Sequence, residues 1–399
     1  MPGESLRVFE NSTELTFCTY FHYMRSVLTA LTVSRRVTCL LALAGVGTVS
    51  VRGLDFNFIA PVDFPPPLLT AAVAAGNLWS GYFSDPVTIN IQLAYGTPAG
   101  GGIANTTAPR ALFAYSTVTT ALSNDRLTDD DFSAVANLQP GSSARFLINR
   151  TGVAEPSLRM DTGTAGNSND QNNTSVLVYH ATAKALGLRD ANHVDVDGTL
   201  TLSKSIYEAN GYDYDRSNGI TVGQYDAIGT IAHEIGHVLG MFSTAELIST
   251  SGAFVTEESA GLQPTVADLL RFSAESINPL GTFGGAGANI GVFDISADTR
   301  PKYFSVDGGT TPLTEFAQGS GAGFGDGQQA NHWKDFVLPT PAGLMDPTIR
   351  AGELLNFSTV DFRFFDAIGF DPVPEAGTWA AGVGASLALW ARRRMNRRA

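Results

Sequence analysis

His233-Glu234-Ile235-Gly236-His237 constrains this chain more than any other stretch. Ala227, Ile228, Ile231, Ile235 and Leu239 recur through it at three- and four-residue steps, which predicts an amphipathic helix. Residues four apart share one helical face, with Cβ atoms about 6 Å apart. Both imidazoles can therefore address a single point, each reaching a metal ion at about 2 Å. Glu234 lies one step round the helix, within reach of a metal-bound water without being a ligand. Two ligands and a base on one turn are what a zinc-dependent hydrolase needs. Without the apolar run, the same five residues would read as two surface histidines.

With 399 residues the chain suffices for one large or two medium domains. Apolar residues make up 44%, charged residues only 16%, and there are 42 glycines and 19 prolines, which points to a loop-rich globular protein of the extracellular kind. The terminal segments 1–52 and 374–399 hold ten of the 25 basic residues but four of the 38 acidic ones, leaving 53–373 with a net charge of −19. A body that acidic does not bind nucleic acid by counterion release. Both cysteines, Cys18 and Cys39, fall near the N-terminus, so the body carries no thiol to cross-link or to hold a metal.

Residues 1–52 read as an export segment, with Met24 offering a second start. Arg35-Arg36 supplies a positive n-region, Val37–Val49 an apolar h-region, and Gly47 and Ser50 the small residues near a cleavage site. The apolar run is short of the roughly 20 residues that a membrane span requires. Beyond it, Leu54–Phe58 and Val87–Leu93 alternate as strands, while Leu68–Leu78 and Ala111–Leu122 read as helices. Ser168–Thr174 is a polar loop, Val176–Tyr179 a strand leading into a helix at Thr182–Leu186, and Gly198–Ser203 another strand. His180 is placed at a strand end and His193 in a loop; either could bind a metal, but a lone His is usually structural or solvated. Asp190, Asp195, Asp197, Asp213 and Asp215 offer the oxygen ligands a calcium ion takes, without EF-hand spacing. Further on come an apolar segment at Ala267–Phe272, strand-like pieces near Val292 and at Tyr303–Val306, and Ala317–Gly327. The last carries five glycines and must turn tightly or flex. Ser358–Phe370 reads as a closing helix with Phe362, Phe365 and Ile368 on a core face and Gly369 as its cap.

A catalytic zinc takes three protein ligands and leaves one position open. Gly240 follows His237 by three residues, as in metzincin proteases, where it lets the chain turn sharply after the helix. The third His of that motif would stand at Ser243, a poor zinc ligand. Two candidates remain. Glu257 lies twenty residues beyond His237, about where thermolysin-like enzymes place a glutamate. His332, in Asn331-His332-Trp333-Lys334, lies thirteen residues before Met345 of Gly343-Leu344-Met345-Asp346-Pro347, which looks like a metzincin Met-turn.

The set His233, Glu234, His237 and Gly240, a long insertion, His332-Trp333 and Leu344-Met345 resembles leishmanolysin and its relatives, in which an inserted segment separates the third His from the helix. The resemblance implies His233, His237 and His332 as zinc ligands, Glu234 as base and Met345 as the Met-turn residue. It also implies an α+β, metzincin-like fold. On this reading 53–240 is an N-terminal subdomain of mixed sheet and helices ending in the metal helix, and 241–373 is an irregular C-terminal subdomain with the insertion, third ligand and Met-turn. In residues 374–399, Pro374-Glu375, the apolar Thr378–Ala391 and Arg392-Arg393-Arg394 resemble a PEP-CTERM sorting signal. That likeness implies an exosortase-type partner, with a plain C-terminal transmembrane anchor as the other reading. The expected function is a secreted or surface-associated zinc endopeptidase that hydrolyses peptide bonds through a zinc-bound water activated by Glu234. The alternative is a non-catalytic, zinc-binding matrix or adhesion protein on a protease-like fold.

Overall fold

Alternation in Asp55-Phe56-Asn57-Phe58-Ile59 makes strand β1 (Asp55–Ile59), whose phenylalanines turn towards helix α1 (Pro66–Ser80). In this computed structural model, which describes residues 53–149, 158–161, 171–251, 262–278, 292–335 and 342–374, a Cβ on Gly76 of α1 would lie 3.1–3.2 Å from those two side chains. Pro66 opens α1, where a missing N–H costs nothing. Leu68, Ala71, Ala72, Ala75 and Trp79 form its buried face. Parallel strands need a crossover, and α1 provides it: β2 (Thr88–Gly96) runs parallel to β1, with Phe58 opposite Ile91.

There follow β3 (Ala104–Thr107), β4 (Arg110–Ala114), α2 (Tyr115–Asp125), α3 (Asp129–Ala136), β5 (Phe146–Asn149), β6 (Leu158–Asp161), α4 (Gln171–Thr174), β7 (Ser175–Tyr179), α5 (His180–Ala185), β8 (Gly198–Ser203) and α6 (Lys204–Glu208). Then come β9 (Tyr212–Asp213), β10 (Tyr225–Asp226), α7 (Ala227–Leu239) with His233 and His237, α8 (Thr244–Ser251), β11 (Arg271–Phe272), β12 (Phe293–Asp294), β13 (Lys302–Phe304), β14 (Thr314–Phe316) and α9 (Thr359–Ala367). The principal sheet has the order β1-β2-β8-β3, parallel except for β3, which runs antiparallel along β8 as an edge strand. Smaller sheets are β4-β7, β9-β10, β12-β5-β6 and β11-β13-β14. The fold is α+β.

Three local expectations need correction. The stretch Ala111–Leu122 is a strand as far as Ala114 and a helix only from Tyr115, because pairing of Phe113 with Val176 takes its first half into a sheet. Gln171–Thr174 closes a helical turn where a polar loop was expected, with Asn172 and Asn173 buried. His180 begins α5 rather than ending β7. The glycine-rich segment turns tightly: Cβ atoms on Gly321 and Gly325 would fall 1.9 Å from the carbonyl oxygen of Ser249 and 2.0 Å from that of Gly319. Among the described residues no helix is long and apolar enough to cross a membrane. The export segment 1–52, Glu257 and the apolar stretch 378–391 lie outside the described residues.

Helix α7 is held at both ends. Asp226 caps it by accepting the Gly229 N–H at 2.8 Å, and Arg216 pairs with the same carboxylate at 3.0 Å. At the other end Gly240 has φ +124°, and a Cβ there would lie 2.4 Å from Thr182 Oγ1, the hydroxyl that donates to the Leu239 carbonyl. Alongside, the Trp79 indole N–H donates to the Ala232 carbonyl at 3.0 Å, and Gly198 leaves room for Val238. The last described segment of the chain is pinned back onto the end of α1. Val373 N–H donates to the Tyr82 carbonyl, and Asp371 N–H to the Asp85 carboxyl. Burial pushes the carboxyls gathered there upwards, Asp85 to about 8, Asp125 to about 7, Asp366 to about 8 and Asp371 to about 6, and the neighbouring Asp371 adds to the rise at Asp85.

Candidate metal centre

The i, i+4 spacing within α7 sets His233 and His237 side by side, both buried. From β14 the chain runs through the glycine-rich turns and returns with His332. Its carbonyl accepts the Ala317 N–H, and the next N–H, that of Trp333, donates to the Met345 carbonyl. So clamped, His332 Nε2 stands 3.2 Å from His233 Nε2 and 3.1 Å from His237 Nε2. The three form a buried group, and it is the one such group of metal-binding side chains among the described residues.

The opposite ring nitrogens decide the chemistry. His233 Nδ1 lies 2.8 Å from the Leu344 carbonyl, His237 Nδ1 2.9 Å from that of Met241, and His332 Nδ1 3.3 Å from that of Gln329. A carbonyl oxygen only accepts, so each Nδ1 carries the proton and each neutral ring presents a bare Nε2. Burial also keeps the rings neutral: it lowers His233 to about 4 and His237 to about 3, the latter helped by His233, and it holds His332 well below its ordinary value. Three lone pairs thus face one another at hydrogen-bond distance with no hydrogen between them. A cation resolves that repulsion. Tetrahedral zinc with bonds of 2.0–2.1 Å needs ligand nitrogens about 3.3–3.4 Å apart, close to the separations seen here. The donor set fits the ion.

Met345 sits beneath α7, fully buried, and a Cβ on Gly236 would come within 2.3 Å of its Sδ. Only a glycine between the two histidines lets the methionine turn approach so closely. Glu234 lies beside the triad, and burial raises its carboxyl to about 7 against a lowering hydrogen bond from Thr106. A cleft of about 450 Å³ opens over Glu234 and the three imidazoles. Its lining includes Thr106 and Thr107 of β3, Phe242, and Pro347 and Ile349.

The structure brings His233, His237 and His332 together as a group that could hold a metal ion, with Glu234 lining the same cleft. Ser243, at the metzincin third-ligand position, instead donates to Asp268 from the start of α8. His193 is engaged by Arg189, and His180 stands apart from the triad. The calcium cradle is not assembled. Asp197 binds the buried Lys184 ammonium at 2.6 Å, and that ammonium also donates to the Thr88 and His193 carbonyls, so a side-chain cation already fills the oxygen cage. Asp195 pairs with Arg189, while Asp190, Asp213 and Asp215 accept from Asn192, Thr221 and Ser217 in their own turns. Strand β3 escaped the sequence reading, because Ala-Asn-Thr-Thr has no apolar alternation; its two β-branched threonines were the available signal.

None of the known protein families, curated proteins or solved structures matches this chain. The geometry of the site therefore carries the functional argument alone.

Proposed function

We propose that this chain is a zinc-dependent endopeptidase of metzincin type. The supporting observation is the convergence of three bare Nε2 atoms beside a carboxyl poised near neutrality, at the floor of an open cleft. Strand β3 supports a peptide as substrate. It is an edge strand, so the side away from β8 presents unpaired main-chain groups to the cleft, and an extended peptide can add there as a further strand. His233, His237 and His332 would hold the zinc, which would supply Lewis-acid polarisation of the scissile carbonyl and make a water more acidic. Glu234 takes a proton from the attacking water as its oxygen bonds to the carbonyl carbon. When the C–N bond breaks, Glu234 passes that proton to the amine. The products are a carboxylic acid and an amine, which become a carboxylate and an ammonium as the second proton of the water passes to nitrogen. Export and sorting at the bacterial envelope are proposed on residues 24–53 and 374–399 as sequence alone.

Purified full chain with zinc should hydrolyse casein, and 1,10-phenanthroline should stop it. Glu234→Ala should keep stoichiometric zinc and lose roughly 10²–10⁴-fold in rate, the usual contribution of a general base. Casein cleavage that persists undiminished in the chelator, or a parent protein that takes up no zinc, would refute the reading.

A further inference from the structure

We propose that Asp361 is a positioning residue that keeps the third imidazole in register with the metal helix, an assignment that rests on the triad taking zinc. Asp361 is fully buried in the first turn of α9. Its Oδ2 accepts Ser358 N–H at 2.7 Å while its own N–H donates to Ser358 Oγ at 3.4 Å, the reciprocal bonds of a helix-capping box, and the Ser358 hydroxyl also donates to Oδ2 at 2.8 Å. A cap needs nothing more. Yet Oδ1 accepts the Trp333 indole N–H at 2.8 Å, and Oδ2 also accepts the Leu344 N–H at 2.8 Å.

These donors, with the Met345 N–H that reaches Oδ1 at 3.4 Å, lie on the two segments that hold imidazoles. Trp333 follows His332 directly. Leu344 offers its carbonyl to His233 Nδ1 at 2.8 Å. One carboxylate thus spans the route from His332 to His233 without touching either ring. The approach is close enough to require glycine next to it: Gly343 has φ +155°, and a Cβ there would lie 2.2 Å from Asp361 Oδ2. Outer groups of this kind tune metal affinity by fixing ligand orientation.

The test separates the cap from the tie. Trp333→Phe removes the indole donor while keeping a ring against Phe316 and Phe364, whose centroids lie 5.0 and 5.3 Å from the indole. Ser358→Ala weakens only the cap. Zinc release from the full chain to a chromogenic chelator is followed, with the visible spectrum of the cobalt-substituted protein as a second readout. We expect Trp333→Phe and Asp361→Asn to release zinc about tenfold faster or more, with an altered cobalt spectrum. Ser358→Ala should lower the melting temperature and leave release within about twofold of the parent. Parent-like release and spectrum in Trp333→Phe would overturn the assignment, as would equally fast release from Ser358→Ala. If Asp361→Asn does not fold, Trp333→Phe decides alone. A parent chain that binds no zinc defeats the metal reading itself, a result separable from both.

Discussion

Lowering the pH from about 7.5 to about 5.5 tests whether the triad waits for its ion already deprotonated. Ordinary imidazoles titrate near 6.5, so each would lose about tenfold in zinc affinity over that interval, and three together about 1000-fold. Here burial lowers His233 to about 4 and His237 to about 3, and holds His332 well down too, while each Nδ1 is committed to a main-chain carbonyl. Protons then do not compete with zinc until well below pH 5. One group works against this flatness. Glu234 is raised to about 7 by burial, so a dication arriving beside it favours the ionised form, and its proton must leave in the acidic half of the range. That single coupling costs at most about 25-fold between the two pH values. Competition with a chelator of known protonation behaviour, with protons counted calorimetrically in two buffers, gives both numbers. The expected loss is no more than about 25-fold with close to one proton released, and Glu234→Gln should abolish even that. A loss near 1000-fold with about three protons released at acidic pH would show the imidazoles charged in the free protein and refute the reasoning.

Other predictions follow from neighbouring features. His332→Ala should leave the far-ultraviolet dichroism unchanged and raise the zinc dissociation constant by more than about 100-fold, as removal of a direct ligand must exceed the loss of an outer one. Gly236→Ala gains about 1 kcal/mol in helix propensity but drives a methyl into Met345 Sδ, with an overpacking cost of about 1–3 kcal/mol; net destabilisation by denaturant titration, with faster zinc release, is expected, and a stabilised variant with parent-like release would contradict the packing. The carboxyls Asp85 and Asp366, both raised to about 8, are protonated in the fold at neutral pH but ionised in the unfolded chain. Stability is therefore lost as pH rises from about 4 towards 8, by about 1.4 kcal/mol per pH unit for each proton held only by the native state. Thermal melts between pH 6.5 and 8 should fall with pH, and Asp85→Asn should flatten the slope. Lys184→Met leaves Asp197 buried and unpaired, and a destabilisation of about 3–5 kcal/mol is expected in chemical unfolding.

What could be read in advance divides by the range of the interaction. The metal helix was legible because its evidence is local: apolar residues at helical steps, ligands four apart, Gly240 at the turn. Strands β2 and β8 were legible from alternation or β-branched content over six or more residues. The third candidate was not local: the sequence left His332 beside Glu257, and only the chain's return brings the ring of His332 to the other two, while Glu257 lies outside the described residues. In Ala111–Leu122 short-range pattern misled, since an apolar run fits either period and only the partner strand β7 decides it. The acidic loops misled differently. Counting carboxylates could not reveal that Lys184, distant from most of them in sequence, would occupy the oxygen cage. Asp361 was invisible for a like reason, because its meaning lies in donors 17 and 28 residues away.

All the outward ring nitrogens of the triad are served by main-chain carbonyls and none by an acidic side chain. An ion held there would keep nearly its full double charge, softened only by the single neighbouring glutamate, and so would be strongly electrophilic towards whatever oxygen or sulfur enters the cleft. Evolution could not retune that electrophilicity by swapping an aspartate bonded directly to a ring for an asparagine; it would have to move the carbonyls themselves, through groups such as Asp361 that hold the backbone. The same bareness would make anionic, ion-seeking compounds such as hydroxamates and thiolates effective blockers.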